Sequence, residues 1–375
     1  MAQISRDLRN ENRVRLLELI RSSGVISRAE LSRQSGISGP TVMRVIDEFL
    51  ELEIVCETEV AEKSVGRRPV GISLCPDFNY TVSILHEGNW IQAGLLDMSG
   101  RLCVQSTAAA EKSIEDFLRA QIPEMIDDLL RRQGVGPEKI SGVGIGIPAM
   151  LNSYENILYE APLIGVDREM NISDLLARLG ARYGASVWIE NDVNAMALGE
   201  HLTRRLEDRA DMAYVALGTG VGSGMILRGE LRRGKNNMAG EIGYLLTGDG
   251  TETLEARIGR SGLERRFGWR LDETLTEAQR AALVEELTRV LSRPLINYAI
   301  AVDLDLIVLG GRTTALLDDA LVDAVRAEVE RRSPISFSVE GSASPIPGIE
   351  GLGHLMRSRF SQKLERDGLE ALKHS

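Results

Sequence analysis

Residues 214–244, YVALGTGVGSGMILRGELRRGKNNMAGEIGY, constrain this chain more than any other stretch. Gly218, Gly220 and Gly222 recur at alternate positions, with Gly224 after them, behind an apolar run that reads as a buried strand. Glycine at such positions lets the main chain turn tightly and lets a ligand reach N–H groups that a side chain would shield. A second apolar run, 225–227, predicts a hairpin with the glycines at its tip. That hairpin is either half of a phosphate or sugar cleft or a structural turn with no ligand.

At 375 residues the chain exceeds one ordinary core, so two or three domains are expected. No run approaches the roughly 18 apolar residues needed to span a bilayer. The start, MAQISRDLRNENRVR, is polar and lacks the apolar centre of a secretory signal. A cytoplasmic protein with no membrane association is expected. Cys56, Cys75 and Cys103 are too scattered for a disulfide framework or a paired-cysteine metal knot, and read as small apolar residues. The first 72 residues carry as many basic as acidic side chains, so the net charge of −11 belongs to the remainder. An acidic body repels polyanions, and any nucleic acid would meet the N-terminal segment.

That segment has its own punctuation. Val14, Leu17 and Ile20 predict a helix over 12–22. Ser27, with Glu30 three residues on, is a capping-box start for a short second helix ending at Gly36. Ser38-Gly39-Pro40 opens a third, whose Val42, Val45, Ile46, Phe49 and Leu50 make one apolar stripe. Two short helices across a tight turn form a helix-turn-helix pattern. Ser38, Pro40, Thr41 and Arg44 then sit at the end that enters the major groove, since Asp47, Glu48 and Glu51 further along repel phosphate. Strands over 54–60 and 70–74 would flank a wing presenting Arg67 and Arg68 to the DNA backbone or minor groove. A small helical interaction domain with a charged loop is the competing reading.

From residue 76 the pattern becomes α/β: strands over 80–85, 91–96 and 102–106, then helices over 114–133, 171–183 and 193–206 alternating with strands over 140–148 and 185–190. The second half repeats this layout, and 351–364 reads as a last helix before a frayed end. The expected division is 1–75 for DNA and 76–375 for a two-lobed body with a cleft.

Three segments then become specific together: Glu190-Asn191-Asp192-Val193-Asn194-Ala195, Leu217-Gly218-Thr219-Gly220-Val221-Gly222-Ser223-Gly224, and Ala239-Gly240-Glu241-Ile242-Gly243-Tyr244. In order and spacing they resemble the END-x-N-A, LGTGxGxG and AGE-x-GH motifs of the ROK family (repressors, open reading frames and kinases). The resemblance covers roughly residues 78–360. With a winged helix-turn-helix ahead of it, the chain is similar to the xylose and N-acetylglucosamine repressors of that family. The resemblance implies a two-lobed, actin-like (sugar-kinase/hsp70-like) body, a homodimer or homotetramer, and operator DNA and a sugar effector as partners.

It also implies which residues meet the sugar: Asn191, Asp192, Glu241, Tyr244 and Glu255, with Asp192 as the general base if the body were a kinase. Two departures stand out. The family's phosphate hairpin, D-x-G-G-T-[KN], is here Leu85-His86-Glu87-Gly88-Asn89-Trp90, which puts a carboxylate where phosphate should lie. The family's zinc-binding His and cysteines are replaced by Tyr244 and a shortened, cysteine-free LLTGDGTETLE. No metal, no cofactor and no catalytic residues are therefore expected. The expected function is a sugar-responsive repressor. A sugar kinase with a DNA-binding head, or a regulator answering to a protein partner without sugar, are the alternatives.

Overall fold

The computed structural model describes residues 2–59, 70–206, 210–248, 250–272 and 274–369. Its first helix, Ala2–Ser23, starts well ahead of the predicted span, because the polar stretch before Asn12 extends the helix without an apolar stripe to announce it. Ser27 caps the second helix, Arg28–Ser35, accepting from the Glu30 N–H at 3.1 Å. The Glu30 carboxylate does not close the expected box and takes Arg33 and Gln34 instead. Gly36 ends that helix in the left-handed region, φ +68°. The third helix, Gly39–Glu51, buries Val42, Val45, Ile46 and Phe49, the stripe the sequence draws.

Val55–Glu59 and Val70–Leu74 pair antiparallel, and the short strand Ile26–Ser27 adds to the other side of Val70–Leu74. Residues 60–69, where the wing with Arg67 and Arg68 was expected, lie outside the described residues, as do the last six residues. Cys56, Cys75 and Cys103 are half-buried and unpaired.

In the body, Tyr80–Glu87, Trp90–Asp97 and Leu102–Ala109 form an antiparallel meander. Ile140–Ile147 and Ser186–Asn191 extend it in parallel from the first of these strands. The second lobe is built similarly. Met212–Leu217 pairs antiparallel with Val221–Leu227 and parallel with Leu306–Gly310, which is followed by an edge strand, Ser338–Gly341. That short edge strand and the small sheet of Met150–Asn152, Ile157–Glu160 and Met170–Asn171 carry too little apolar alternation to be read in advance. Each lobe has its own apolar core. Glu277–Val302 starts with a Thr276–Gln279 capping box and runs through Pro294. Among the described residues, no helix is long and apolar enough to cross a membrane.

The C-terminal helix, Pro347–Asp367, belongs to neither lobe alone. Its first half crosses the helix Asp192–Thr203 almost backbone to backbone. A β-carbon at Gly199 would overlap the carbonyl oxygen of Pro347, and one at Gly351 that of Ala195. Its second half sends Phe360 and the fully buried Leu364 into the helix-turn-helix core beside Leu16, Leu17 and Met98. Polar contacts fix the same junction: Ser361 Oγ donates to Glu18 at 2.6 Å, and Asn10 Nδ2 to the Glu365 carbonyl at 2.9 Å. The N-terminal core is thus completed by residues from the other end of the chain.

Candidate functional site

The N-terminal end of Gly39–Glu51 leaves Ser38, Pro40 and Arg44 exposed, with Thr41 half-buried and 2.9 Å from Ser38 through their hydroxyls. Arg44 makes no ion pair among the described residues. The acidic residues behind it are held by arginines of the same domain: Glu48 by Arg13 at 2.7 Å, and Asp47 by Arg28 at 3.8 Å. Phosphate repulsion from this helix is correspondingly reduced at its start, where DNA would dock.

The second site lies between the lobes, in a cavity of about 310 Å³. Asn191, Asp192, Glu241, Tyr244 and Glu255 all line it, although three separate segments supply them. Glu87, Glu160 and Arg312 line it too, and these the sequence reading does not include. Glu87 follows from the altered phosphate hairpin. Glu160 opens the segment Glu160-Ala161-Pro162-Leu163, where the family's A-P-N asparagine is missing, and Arg312 carries no local signal.

Asn191 caps the helix that begins at Asp192. Its Oδ1 accepts from the Asn194 N–H at 3.0 Å, and its Nδ2 donates to the Ala149 carbonyl at 3.2 Å. The spacing Asn191-x-x-Asn194 is that of a capped helix start, so this role was open to view in the sequence. Glu255 is also partly engaged, accepting from the Val221 N–H at 3.0 Å. Gly220 makes that possible, because a β-carbon there would overlap the Glu255 carboxylate. Gly224 serves packing rather than a ligand: a β-carbon would stand 2.6 Å from the Val193 carbonyl oxygen. Alternate glycines therefore seat the Asp192 helix directly on the hairpin.

Asp192 is 9% exposed, and burial pushes its carboxyl up to about 7, with neighbouring Glu87 and Glu241 adding to the rise and the Val193 N–H opposing it. Burial likewise raises Glu87, which Arg312 counteracts, and raises Glu241, which Glu255 reinforces. Tyr244 sits 56% exposed at the rim, on a 3₁₀ turn, Ile242–Tyr244. The loop after it closes on itself through Thr247 N–H to the Glu252 carbonyl, 2.8 Å, and Leu254 N–H to the Leu245 carbonyl, 2.7 Å.

The tips of the two hairpins meet. A β-carbon at Gly88, φ +60°, would lie 2.5 Å from Thr219 Oγ1. A second cavity of about 400 Å³ shares Glu87, Met196, Gly311 and Arg312 with the first. Next to Asn191, Glu190 is buried and tied across the lobes to Arg233 at 2.5 Å, while it also accepts from the Asn191 N–H and from Asn194 Nδ2. Two residues earlier on the same strand, Trp188 lies under Arg359 of the C-terminal helix, 3.8 Å from guanidinium carbon to ring centroid.

A winged helix-turn-helix fused to two actin-like lobes around an acidic cleft defines a sugar-kinase-like body carrying a DNA-binding head. The chain belongs to the ROK family, whose model matches residues 82–339, and residues 9–55 match the winged helix-turn-helix DNA-binding model. The xylose repressor of Bacillus subtilis is 26% identical over 234 residues, 62% of this chain and 60% of that protein. The chain thus matches less than two thirds of that relative's length. Among solved structures, a ROK family transcriptional regulator described as a homologue of the Escherichia coli MLC protein superposes with a TM-score of 0.77 at 18% identity, covering 98% of this chain and all of that one. A ROK family glucokinase from Streptomyces griseus, in complex with glucose and AMPPNP, covers 75% of this chain and 100% of its own at TM-score 0.61 and 23% identity. These structures share the fold.

Proposed function

We propose that this chain is a cytoplasmic DNA-binding repressor of sugar metabolism whose operator affinity is set by a sugar or sugar derivative held between its lobes. Residues 1–75 read DNA, residues 76–375 sense the sugar, and the active form is a homodimer or homotetramer matched to operator half-sites. The observation that carries this reading is the continuous packing from Asp192 to the DNA-binding core. The helix starting at Asp192 lies against Gly351 of the C-terminal helix, and Leu364 of that same helix is buried beside Leu16 and Leu17. A ligand that favours one interlobe angle thereby moves the recognition helices relative to their half-sites, provided it binds the two angles unequally.

Asp192, Glu241, Glu255 and Tyr244 contact the sugar, with Asn191 positioning Asp192 by capping its helix. Ser38, Pro40, Thr41, Arg44, Arg67 and Arg68 contact DNA. The test is operator retention by the full chain, titrated with monosaccharides, amino sugars and phosphosugars. Release or tightening by one of them supports the reading, and indifference to all of them refutes it.

A second reading, sugar phosphorylation, has one observation in its favour: a carboxyl near 7 is well placed for general-base work. Glu87, in the hairpin that resembles the family's phosphate hairpin, and Gly88, abutting Thr219 in the cavity lining, weigh against it. ADP production with any hexose, abolished by Asp192→Asn, would establish it.

A further inference from the structure

The charge inside the cleft is one-sided. Glu87, Glu160, Asp192, Glu241 and Glu255 face the same cavity, and Arg312 is the one basic residue lining it among the described residues. One oxygen of Glu255 is taken by the Val221 N–H. No side chain donates to the other four, and no basic group approaches them within 4.0 Å, among the described residues. Asp192 is the sharpest case, being nine-tenths buried and bonded by backbone N–H groups at its helix start rather than by any side-chain donor among the described residues. A buried carboxyl of this kind either takes up a proton or stays charged at a cost that a bound cation would remove.

A bare metal ion does not fit this arrangement. Among the described residues, no three acidic, histidine or cysteine side chains stand close enough to hold one. The carboxylates instead surround a space of about 310 Å³, the scale of a small organic molecule. Hydroxyls can donate to carboxylates but leave the charge in place, whereas an ammonium donates and neutralises together. A phosphate ester would meet five carboxylates and one arginine.

Resting on the sugar reading of the cleft, we infer that the effector is a protonated amino sugar, a polyhydroxylated amine whose ammonium is held on the Glu87–Asp192 side of the cavity. Glu160, at the exposed rim, adds to the attraction on entry. Arg312 offsets Glu87 in the free protein and is displaced from that role when the ammonium arrives.

The test is calorimetry on the full chain at neutral pH with five probes: glucose, 2-amino-2-deoxyglucose, 6-amino-6-deoxyglucose, N-acetylglucosamine and glucose 6-phosphate. At least one amine is expected to bind about tenfold or more tighter than glucose. N-acetylation, which removes the charge but keeps the nitrogen, should forfeit the 2-amino sugar's share of that gain. Glu87→Gln should bring the ratio of amine to glucose affinity close to one, and Glu160→Gln, at an exposed position, should lower it less. Neutral sugar or phosphosugar binding as tightly as the amines overturns this inference and leaves the sugar reading standing. Binding of none of the five, by a chain whose thermal melt is intact, overturns both.

Discussion

Replacing Asp192 by Asn should stabilise the sugar-free protein, and the size of the effect should follow pH in a defined way. Burial holds this carboxyl at about 7 rather than at its usual 3.8. A difference of that size is worth about 4 kcal/mol against the charged form. Relaxation of the cleft reduces this figure, as does the loss of a negative charge from the first turn of its helix, worth about 0.3–1 kcal/mol. A gain of roughly 1–3 kcal/mol is expected at pH 8, a size typical of functional carboxylates held at a stability cost. Because the folded-state value is raised, the native protein binds its proton before the unfolded chain does. The wild type therefore recovers stability as pH falls through 7 towards 3.8, and the advantage of Asn shrinks over that window. Urea unfolding of both proteins at pH 8 and pH 5, without sugar, measures the difference directly and cancels the titration of other carboxylates. An Asn variant no more stable at pH 8, or a gain that does not diminish at pH 5, would refute the reasoning.

Other perturbations address the packing route and the DNA face. Leu364→Ala should cost about 2–5 kcal/mol in chemical denaturation, because the side chain is fully buried in the helix-turn-helix core. Arg233→Ala strands Glu190 as a buried carboxylate and should cost about 3–5 kcal/mol, largely recovered in the Arg233→Met, Glu190→Gln double variant. Gly351→Ala forces the two crossed helices apart, so it should weaken the effect of sugar on operator binding more than it weakens sugar binding, as compared by calorimetry and DNA anisotropy. Arg44→Ala should lower operator affinity and reduce the slope of log affinity against log salt by about one, if its contact is to phosphate.

The DNA-binding head was legible because its signals are local. The cap at Ser27, the turn at Gly36 and the stripe Val42, Val45, Ile46 and Phe49 each act within a few residues. The cleft was legible by motif, and the residues that resemblance implies do line one cavity. What the residues do there was harder to read. The alternate glycines suggested backbone open to a ligand, and Gly218, Gly220 and Gly222 do line the cavity, whereas Gly224 faces the Val193 carbonyl. Spacing shows that a position must lack a side chain, but not what fills the space. Arg312 reaches the cleft only through tertiary folding. The role of the C-terminal helix was likewise hidden, since the apolar residues Phe360 and Leu364 announce burial and never name the surface that buries them.

The central claim is that occupancy of the cleft changes how this chain holds DNA. The most direct measurement selects genomic fragments bound by the full chain, then follows fluorescence anisotropy of the best fragment during titration with the tightest-binding sugar, for wild type and Asp192→Asn. The account predicts a saturable change in operator affinity for the wild type, at least about fivefold as expected for coupling between sites, and none at the same concentrations for the variant. Operator affinity that stays constant while calorimetry shows the cleft filled would contradict it.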